Sequence, residues 1–280
     1  MRDSIDSFQA LRTRIAATER RQAVSHGVVP LGHSAIDAAL GGGLGRGQLH
    51  EIFAVEASDN TALGSASGGV VVAPSSGGQS GAPSGFAAML CAMVARPGGT
   101  IFWLREQAAE ARGGCLHAPG LRDLGVDPAR LVLGVMDDAL ALLRAAAEVV
   151  RCPTIDVAVI ELWKSPRALD LTATRRLAVA AENSGTTALL LRAEASPMPS
   201  AAHTRWSVAS VAAKALGAGA PGHPTLEVEL LRQRGGSAGQ QWRVEWNREQ
   251  AKFFDPALSG AVVPLSFGRP VATPGWRRAG

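Results

Sequence analysis

The sequence predicts an α/β fold: a mostly parallel sheet flanked by helices, with an antiparallel extension at its C-terminal side. Three observations predict it. Between residues 86 and 192, short apolar runs alternate with stretches of helical period, the pattern of repeated β–α units. The run Val157-Ala158-Val159-Ile160-Glu161-Leu162 is almost continuously apolar, as expected of a strand buried on both faces. Beyond residue 200 the pattern changes to short segments of period two joined by glycine-rich turns, which reads as a meander added to a sheet edge rather than a separate domain.

Composition sets broad limits. With 280 residues and 46% hydrophobic side chains, the chain holds enough apolar material for one large core. No run approaches the roughly 18 apolar residues of a membrane span. No apolar stretch follows the first charges, so the expectation is a cytoplasmic protein without a membrane partner. Cys91, Cys115 and Cys152 are widely spaced and form no C-x-x-C pair, and they read as reduced thiols. The net charge of +4 and a pI near 9.5 resemble a nucleic-acid signature. However, only Lys164, Lys214 and Lys252 among the 28 basic residues are lysines, and no five or six basic residues run together. The basicity permits nucleic-acid contact without arguing for it.

Taken in order, residues 1–27 hold an N-terminal amphipathic helix and a linker. Ile5, Phe8, Leu11 and Ile15 fall at helical spacing, and Arg12, Arg14, Arg20 and Arg21 lie mostly elsewhere on the wheel. Such a helix either packs on its own domain or docks on another subunit. A core follows over residues 28–247. Ser34 and Asp37 stand at capping-box spacing ahead of a short helix, and Gly41 supplies its stop. Residues 41–53 then form a glycine turn feeding a strand. Residues 54–85 carry seven glycines and seven serines, with Glu56 and Asp59 as their only charges, and read as a flexible insertion with at most a brief strand at Val70-Val71-Val72-Ala73. Helix 86–95, with Ser84 as its cap, leads to strand 101–104 and a loop containing Ala118-Pro119-Gly120-Leu121. Strand 131–135, helix 138–150, strand 157–162, helix 171–182 ending at Gly185, and strand 187–191 complete the alternation. Segments 204–208, 225–231 and 241–246 form the meander, the last two joined by a glycine-rich hairpin. Residues 248–280 read as a Pro/Gly-rich tail.

The chemistry turns on the residues that come after the glycine turn at 41–47. In RecA-type ATPases such a passage leads into a phosphate-binding loop, G-x-x-x-x-G-K-[ST]. There, backbone N–H groups wrap the phosphates, a lysine reaches the β and γ oxygens, and a hydroxyl holds Mg²⁺. No such motif occurs. Lys164 alone precedes a hydroxyl residue, Ser165, and Trp163 stands where glycine is required. The stretch 54–85 contains no lysine or arginine, although its glycines leave a weak anion nest open. Glu161 ends an apolar strand where a Mg²⁺-binding acid would sit, with an ordinary strand-end carboxylate as the alternative. His26, His33, His50, His117, His203 and His223 show no H-x-x-x-H spacing, and no G-x-S-x-G elbow occurs. No catalytic residue, metal ligand or cofactor is assigned, and the chain is expected not to be an enzyme.

Binding surfaces are the remaining question. In recombinases the loop after the strand equivalent to residues 187–191 touches single-stranded DNA. Here that loop, residues 193–203, contains Glu194 and no lysine or arginine, with Arg192 and Arg205 at its margins. Arg205-Trp206 and the hairpin residues Arg232, Arg234, Trp242 and Arg243 offer a weak version of a basic groove with stacking platforms. The alternative is a solvated face with tryptophans packed beneath arginine stems. The candidate partner or DNA interface therefore comprises Phe8, Leu11, Ile15, Arg175, Arg176, Arg192, Arg205, Trp206, Arg232 and Arg234.

An ordered set of motifs runs through the core. It begins with Pro30-Leu31-Gly32, Ile36-Asp37, Gly42-Gly43-Leu44-Gly45-Arg46-Gly47 and His50-Glu51. Ala118-Pro119-Gly120-Leu121, Leu124-Gly125-Val126-Asp127-Pro128-Ala129-Arg130 and Leu171-Thr172-Ala173-Thr174-Arg175-Arg176-Leu177 follow. Ser184-Gly185-Thr186-Thr187-Ala188-Leu189-Leu190-Leu191-Arg192, Thr204-Arg205-Trp206 and Trp242…Glu245-Trp246 complete it. In this set the chain resembles the ImuA family, over about residues 28 to 247, while residues 54–85 are longer and more serine-rich than that pattern. The resemblance implies a RecA-like fold with a degenerate P-loop. It also implies a non-catalytic accessory or adaptor role in the SOS response to DNA damage, in translesion synthesis and mutagenesis. The implied partners are an ImuB-like polymerase-related adaptor and, indirectly, an error-prone replicative-type polymerase. RecA is a further candidate, and single-stranded DNA a weak one. Two other classes remain beside it: a SulA-like cell-division inhibitor, and a DNA-dependent NTPase with a degenerate P-loop.

Overall fold

The computed structural model describes residues 26–54, 81–214 and 222–256. A two-strand ribbon, β1 (Val28–Val29) with β2 (Leu44–Gly45), encloses helix α1 (Ser34–Leu40). Strand β3 (Leu49–Ala54), helix α2 (Ala82–Val94) and strand β4 (Thr100–Glu106) come next. Two short helices, α3 (Gln107–Gly113) and α4 (Ala118–Asp123), and a 3₁₀ turn at Pro128–Arg130 lead to β5 (Leu131–Met136). Then follow α5 (Ala139–Arg151), β6 (Ile155–Trp163), α6 (Leu171–Ser184) and β7 (Thr187–Ala193). The chain closes with β8 (Thr204–Ser210), β9 (Thr225–Gln233), β10 (Gln240–Asn247) and β11 (Lys252–Phe254).

Nine of these strands form one sheet in the order β11-β10-β9-β8-β3-β7-β6-β4-β5. The six from β8 to β5 run parallel, and β9, β10 and β11 are antiparallel. This is the architecture the alternation predicts: parallel strands joined through helices, then an antiparallel meander on one edge. Residues of β9 alternate between buried Leu226, Val228 and Leu230 and half-exposed Glu227 and Glu229, as a strand with one wet face must.

The central parallel strands are buried on both faces, while the edge strand β5 stays half-exposed. On one side, α2 packs with α1 over Ile52, Trp103, Val159, Leu189 and Trp206, and this core continues beneath the antiparallel strands to Val244, Trp246 and Phe253. On the other, α5 and α6 cover Leu49, Leu104, Ile160 and Leu190. Local chemistry fixes the helix ends. Asp138 and Asp170 each accept a hydrogen bond at 2.7 Å from the backbone N–H three residues on, and so begin α5 and α6. Gly185, left-handed at φ 84°, ends α6. Gly43 lies at φ 138°, and a Cβ there would sit 2.3 Å from the Val29 carbonyl oxygen, so the β1–β2 ribbon closes only with glycine at that position.

Several boundaries differ from the sequence reading, each for a physical reason. Helix α2 starts at Ala82, not residue 86: Pro83 suits the first turn, and Ala82 and Pro83 are both buried. The segment expected as insertion 54–85 therefore gives Ala54 to β3 and its last four residues to α2, and residues 55–80, including Val70-Val71-Val72 and the place of the degenerate P-loop, lie outside the described residues. Ser34 does not cap α1. His33 accepts from Ile36 N–H, and the Asp37 carboxylate takes the N–H groups of Leu31 at 2.6 Å and Gly32 at 3.0 Å. The expected loop at Ala118-Pro119-Gly120-Leu121 is helix α4, capped by His117, because Pro119 stands in the first turn and Leu121 is buried. The core does not stop at residue 247. Strand β11 pairs with β10, and Phe253 is buried against Phe86 and Trp246 with ring centroids 5.6 and 5.0 Å apart. The expected tail 248–280 thus contributes residues 248–256 to the fold, and 257–280 lie outside the described residues.

A chain of donors ties β8, β3 and β2 together inside the first core. Trp206 Nε1 donates to Thr204 Oγ1 at 2.8 Å, the Thr204 hydroxyl lies 2.7 Å from His50 Nδ1, and His50 Nε2 donates to the Gly45 carbonyl at 2.9 Å. With His50 neutral and its proton on Nε2, every link is satisfied. Burial pushes the His50 pKa down to about 3, helped by nearby His203 and opposed by the Gly45 hydrogen bond. An unfolded chain takes up a proton below about pH 6.5 that the folded one refuses. His50 therefore contributes stability that is complete above that pH and is lost as pH falls toward 3. Between about pH 7.5 and 5.0 this removes about 2 kcal/mol from the wild type and nothing from His50→Gln. Urea unfolding at the two pH values should show the gap between the two proteins narrowing by that amount; parallel pH slopes would refute the assignment.

Candidate functional site: buried ion pairs and an arginine groove

In open α/β sheets, ligands bind outside the carboxyl ends of the parallel strands. Two clusters of charged side chains lie in the parallel half of the sheet here, one on each face: the first around Glu51 at the middle of β3, the second toward the carboxyl ends of β4 and β6.

The first is centred on Glu51 of β3, which has no exposure to solvent. Arg192 of β7 donates from Nη1 to Glu51 Oε1 at 3.1 Å. Arg205 of β8, directly across the ladder from Glu51, donates from Nε to Oε2 at 3.0 Å. Ser200 adds its hydroxyl to the same oxygen at 2.7 Å. The outer nitrogens of both arginines hold the neighbouring loops. Arg192 Nη2 reaches the Lys164 carbonyl at 3.3 Å and Ser165 Oγ at 3.1 Å, and Arg205 Nη2 reaches the Met198 carbonyl at 2.5 Å and Ser200 Oγ at 2.8 Å. Both guanidinium groups lie over the ring of Phe53, at 5.6 and 5.7 Å. Burial lowers the Arg192 pKa, Glu51 works against that, and Arg205 adds to it.

The second cluster lies on the α2 face. Glu161 of β6 accepts from Arg105 Nη2 at 3.0 Å and from Trp103 Nε1 at 2.9 Å, so each oxygen of the carboxylate is engaged. Arg105, the ladder partner of Glu161, also donates to the Gly114 carbonyl at 2.8 Å. Nearby, Glu106 accepts the Trp163 N–H at 3.3 Å, and Arg112 lies 5.3 Å from the Trp163 ring centroid. Glu161 is thus a strand-end carboxylate held by its own sheet. Among the described residues no group of three or more His, Cys, Asp or Glu side chains is placed to hold a metal ion.

The residues expected to form an interface separate into distinct fates. Arg192 is 2% exposed and Trp206 is fully buried, so both leave the candidate surface: a stacking platform must present a ring face, and Trp206 spends its face on Phe86 and its N–H on Thr204. Arg205 follows them through its bonds to Glu51. The tryptophans pack inward, as the alternative reading of that hairpin has it. Arg232 and Arg234 are exposed at the end of β9; Arg232 donates to the Ser200 carbonyl at 2.8 Å, and Arg234 lies 3.7 Å from Glu182. Phe8, Leu11 and Ile15 lie outside the described residues. Arg175 and Arg176 are exposed on α6 and come together in a groove of about 620 Å³ between the ends of α5 and α6. Arg151, Pro153, Thr172, Val179, Ala180, Asn183 and Ser184 line the rest of it. Glu51, Ser200 and Arg105 were not singled out from sequence as a site, although a charge inside an apolar strand such as Leu49-His50-Glu51-Ile52-Phe53 requires a buried partner and gives the signal.

No family model matches the chain, and no curated protein matches it. Among solved structures it is similar to the crystal structure of the RadB recombinase, with a TM-score of 0.48 and 14% identity over 81% of this chain and 99% of that one. A likeness of this degree carries nothing about activity. No helix among the described residues is long and apolar enough to cross a membrane.

Removing the Glu51 charge leaves two guanidinium groups facing an uncharged site. Glu51→Gln should cost about 3–5 kcal/mol in urea unfolding, the range for breaking a buried ion pair. Arg175→Ala, at an exposed position, should stay within about 0.5 kcal/mol. A loss below about 1 kcal/mol for Glu51→Gln would show that the cluster does not anchor the fold.

Proposed function

We propose that this protein is a non-catalytic, RecA-like accessory or adaptor of damage-induced mutagenesis, acting through protein contacts in translesion synthesis during the SOS response. The observation that carries the non-catalytic part is the state of Glu161. A phosphoryl-transfer site needs a strand-end carboxylate free to hold Mg²⁺ opposite a P-loop lysine. Here both Glu161 oxygens are engaged by Arg105 and Trp103, and the sequence between β3 and α2 contains no lysine or arginine. The assignment to mutagenesis rests on the ordered set of motifs shared with the ImuA family. On this reading the partners are an ImuB-like polymerase-related adaptor and, through it, an error-prone replicative-type polymerase, with RecA as a further contact, in the cytoplasm.

The burial of Arg192 and Trp206, and the bonding of half-buried Arg205 to Glu51, favour protein over single-stranded DNA as the principal partner, because the loop between β7 and β8 keeps no free arginine at its margins. Two measurements test the proposal. Titration with ATP and Mg²⁺ in a calorimeter should give nothing tighter than about millimolar, near −4 kcal/mol. Micromolar binding, or hydrolysis stimulated by single-stranded DNA, would replace the adaptor with an NTPase. Affinity capture from DNA-damaged cells should recover the ImuB-like protein, and Phe8→Ala with Leu11→Ala should reduce that recovery without changing the melting temperature. Recovery of cell-division proteins instead would favour an inhibitor of the SulA type.

A further inference from the structure

Helix α6 has two faces that differ in an unusual way. Its inner face, Thr174, Leu177, Ala178 and Ala181, is buried against the sheet. Its outer face keeps Leu171 and Val179 at 53% and 47% exposure, with Arg175 between them at the spacing of one helical turn on either side. Arg175 and Arg176 form no ion pair or hydrogen bond with any described residue. Across the groove stands Arg151, bonded at 2.6 Å to Glu148 on its own helix. No carboxylate lines the groove. Of the nearby acids on these helices, Glu148 pairs with the groove's own Arg151, Asp170 caps the α6 N-terminus and Glu182 lies beside Arg234, so none reaches Arg175 or Arg176. The floor is fixed, because Ser184 Oγ donates to the Val150 carbonyl at 2.6 Å and so fastens α6 to α5.

We propose that this groove docks an acidic amphipathic segment of a partner protein. Carboxylates of the segment engage Arg175, Arg176 and Arg151, and its aliphatic side chains cover Val179 and Leu171. The inference rests on the adaptor reading and adds the chemistry of one docking surface. Charge complementarity selects the occupant: Arg175 and Arg176 carry no counter-ion, Arg151 beside them shares its charge with Glu148 alone, and such a set favours carboxylates, which an arginine fork grips through two hydrogen bonds. The exposed aliphatics separate a peptide from a nucleic acid. A phosphate backbone would leave Leu171 and Val179 uncovered, and the groove has no aromatic ring on which a base stacks. A floor already fixed between two helices lowers the ordering cost of binding.

Fluorescence anisotropy with the full chain tests this with three labelled probes. One is a peptide of roughly 15 residues with Glu and Leu at helical spacing, long enough to form a helix. The second is the same peptide with Lys for Glu, and the third an oligo-dT of about 16 nucleotides. The acidic peptide should bind saturably and at least about tenfold tighter than the lysine peptide. Arg175→Glu with Arg176→Glu should weaken it by at least about tenfold, and Val179→Ser by about threefold, with melting curves unchanged. Should the double reversal disturb folding, Arg176→Ala alone should still weaken binding by about threefold. The proposal is overturned if the acidic peptide does not saturate, if the reversed variant binds it as well as wild type, or if oligo-dT is the probe that binds and is lost on charge reversal. Any of these results, with ATP binding still absent and partner capture intact, removes the groove and leaves the adaptor reading standing. Micromolar ATP binding would do the reverse.

Discussion

A carboxylate in the middle of a central strand imposes more order on this molecule than any other single group. Glu51 lies between β7 and β8 with no access to water, and an isolated ionised carboxylate in such a place costs far more than a domain can absorb. It is tolerated because both neighbouring strands supply a guanidinium and the loop between them supplies a hydroxyl. The consequence reaches beyond the pair. Arg192 holds the loop after β6 through Lys164 and Ser165, while Arg205 and Ser200 hold the loop before β8. One carboxylate therefore sets the conformation of two loops, the one after β6 and the one before β8. Such pairs add little net stability relative to a well-packed apolar replacement, and their effect is to penalise every arrangement that separates the charges.

The opposite face repeats the arrangement with Glu161, Arg105 and Trp103. Together the two clusters decide what the carboxyl end of the sheet can do. In a doubly covered parallel sheet this is where polar groups converge on a ligand, because the strand ends open into a crevice. Here the convergent groups converge on each other. A guanidinium committed to a buried carboxylate cannot meet a phosphate without exposing that carboxylate uncompensated. The free guanidinium groups of the candidate set that remain, Arg175 and Arg176, stand on the helical layer.

Much of the fold was legible because burial leaves a mark on strands and capping leaves one on helices. The run from Val157 to Leu162 could only be a central strand, and Gly185 ended α6 where expected. Helix α4 was missed because Ala118-Pro119-Gly120-Leu121 carries turn residues, and only the burial of Leu121 turns Pro119 into a helix start. Strand β11 was missed because it has three residues; its evidence is the packing of Phe253 on Phe86 and Trp246, which no local pattern reveals. The interface was the least legible part. Arg192, Arg205 and Trp206 looked like surface groups, and their fate depended on a carboxylate more than a hundred residues away in sequence. The warning lay in Glu51 itself, which has no apolar reason to stand between Leu49 and Phe53.

The contrast between these arginines and those of α6 follows from the geometry of their elements. A strand in the interior of a sheet covered on both faces carries every side chain inward, so an arginine there must find an anion within the fold. A helix on the outer layer buries only one stripe, and an arginine on the opposite stripe stays free. The same residue type therefore serves as internal counter-ion at Arg105 and Arg192 and as open charge at Arg175 and Arg176. A basic composition by itself cannot distinguish the two uses. Once the strand arginines are withdrawn into their ion pairs, the free positive charge on the α5–α6 layer gathers around a groove that also leaves Val179 uncovered. Aliphatic surface left in water and like charges held side by side are both unfavourable, and a partner carrying carboxylates and aliphatic side chains relieves both at once.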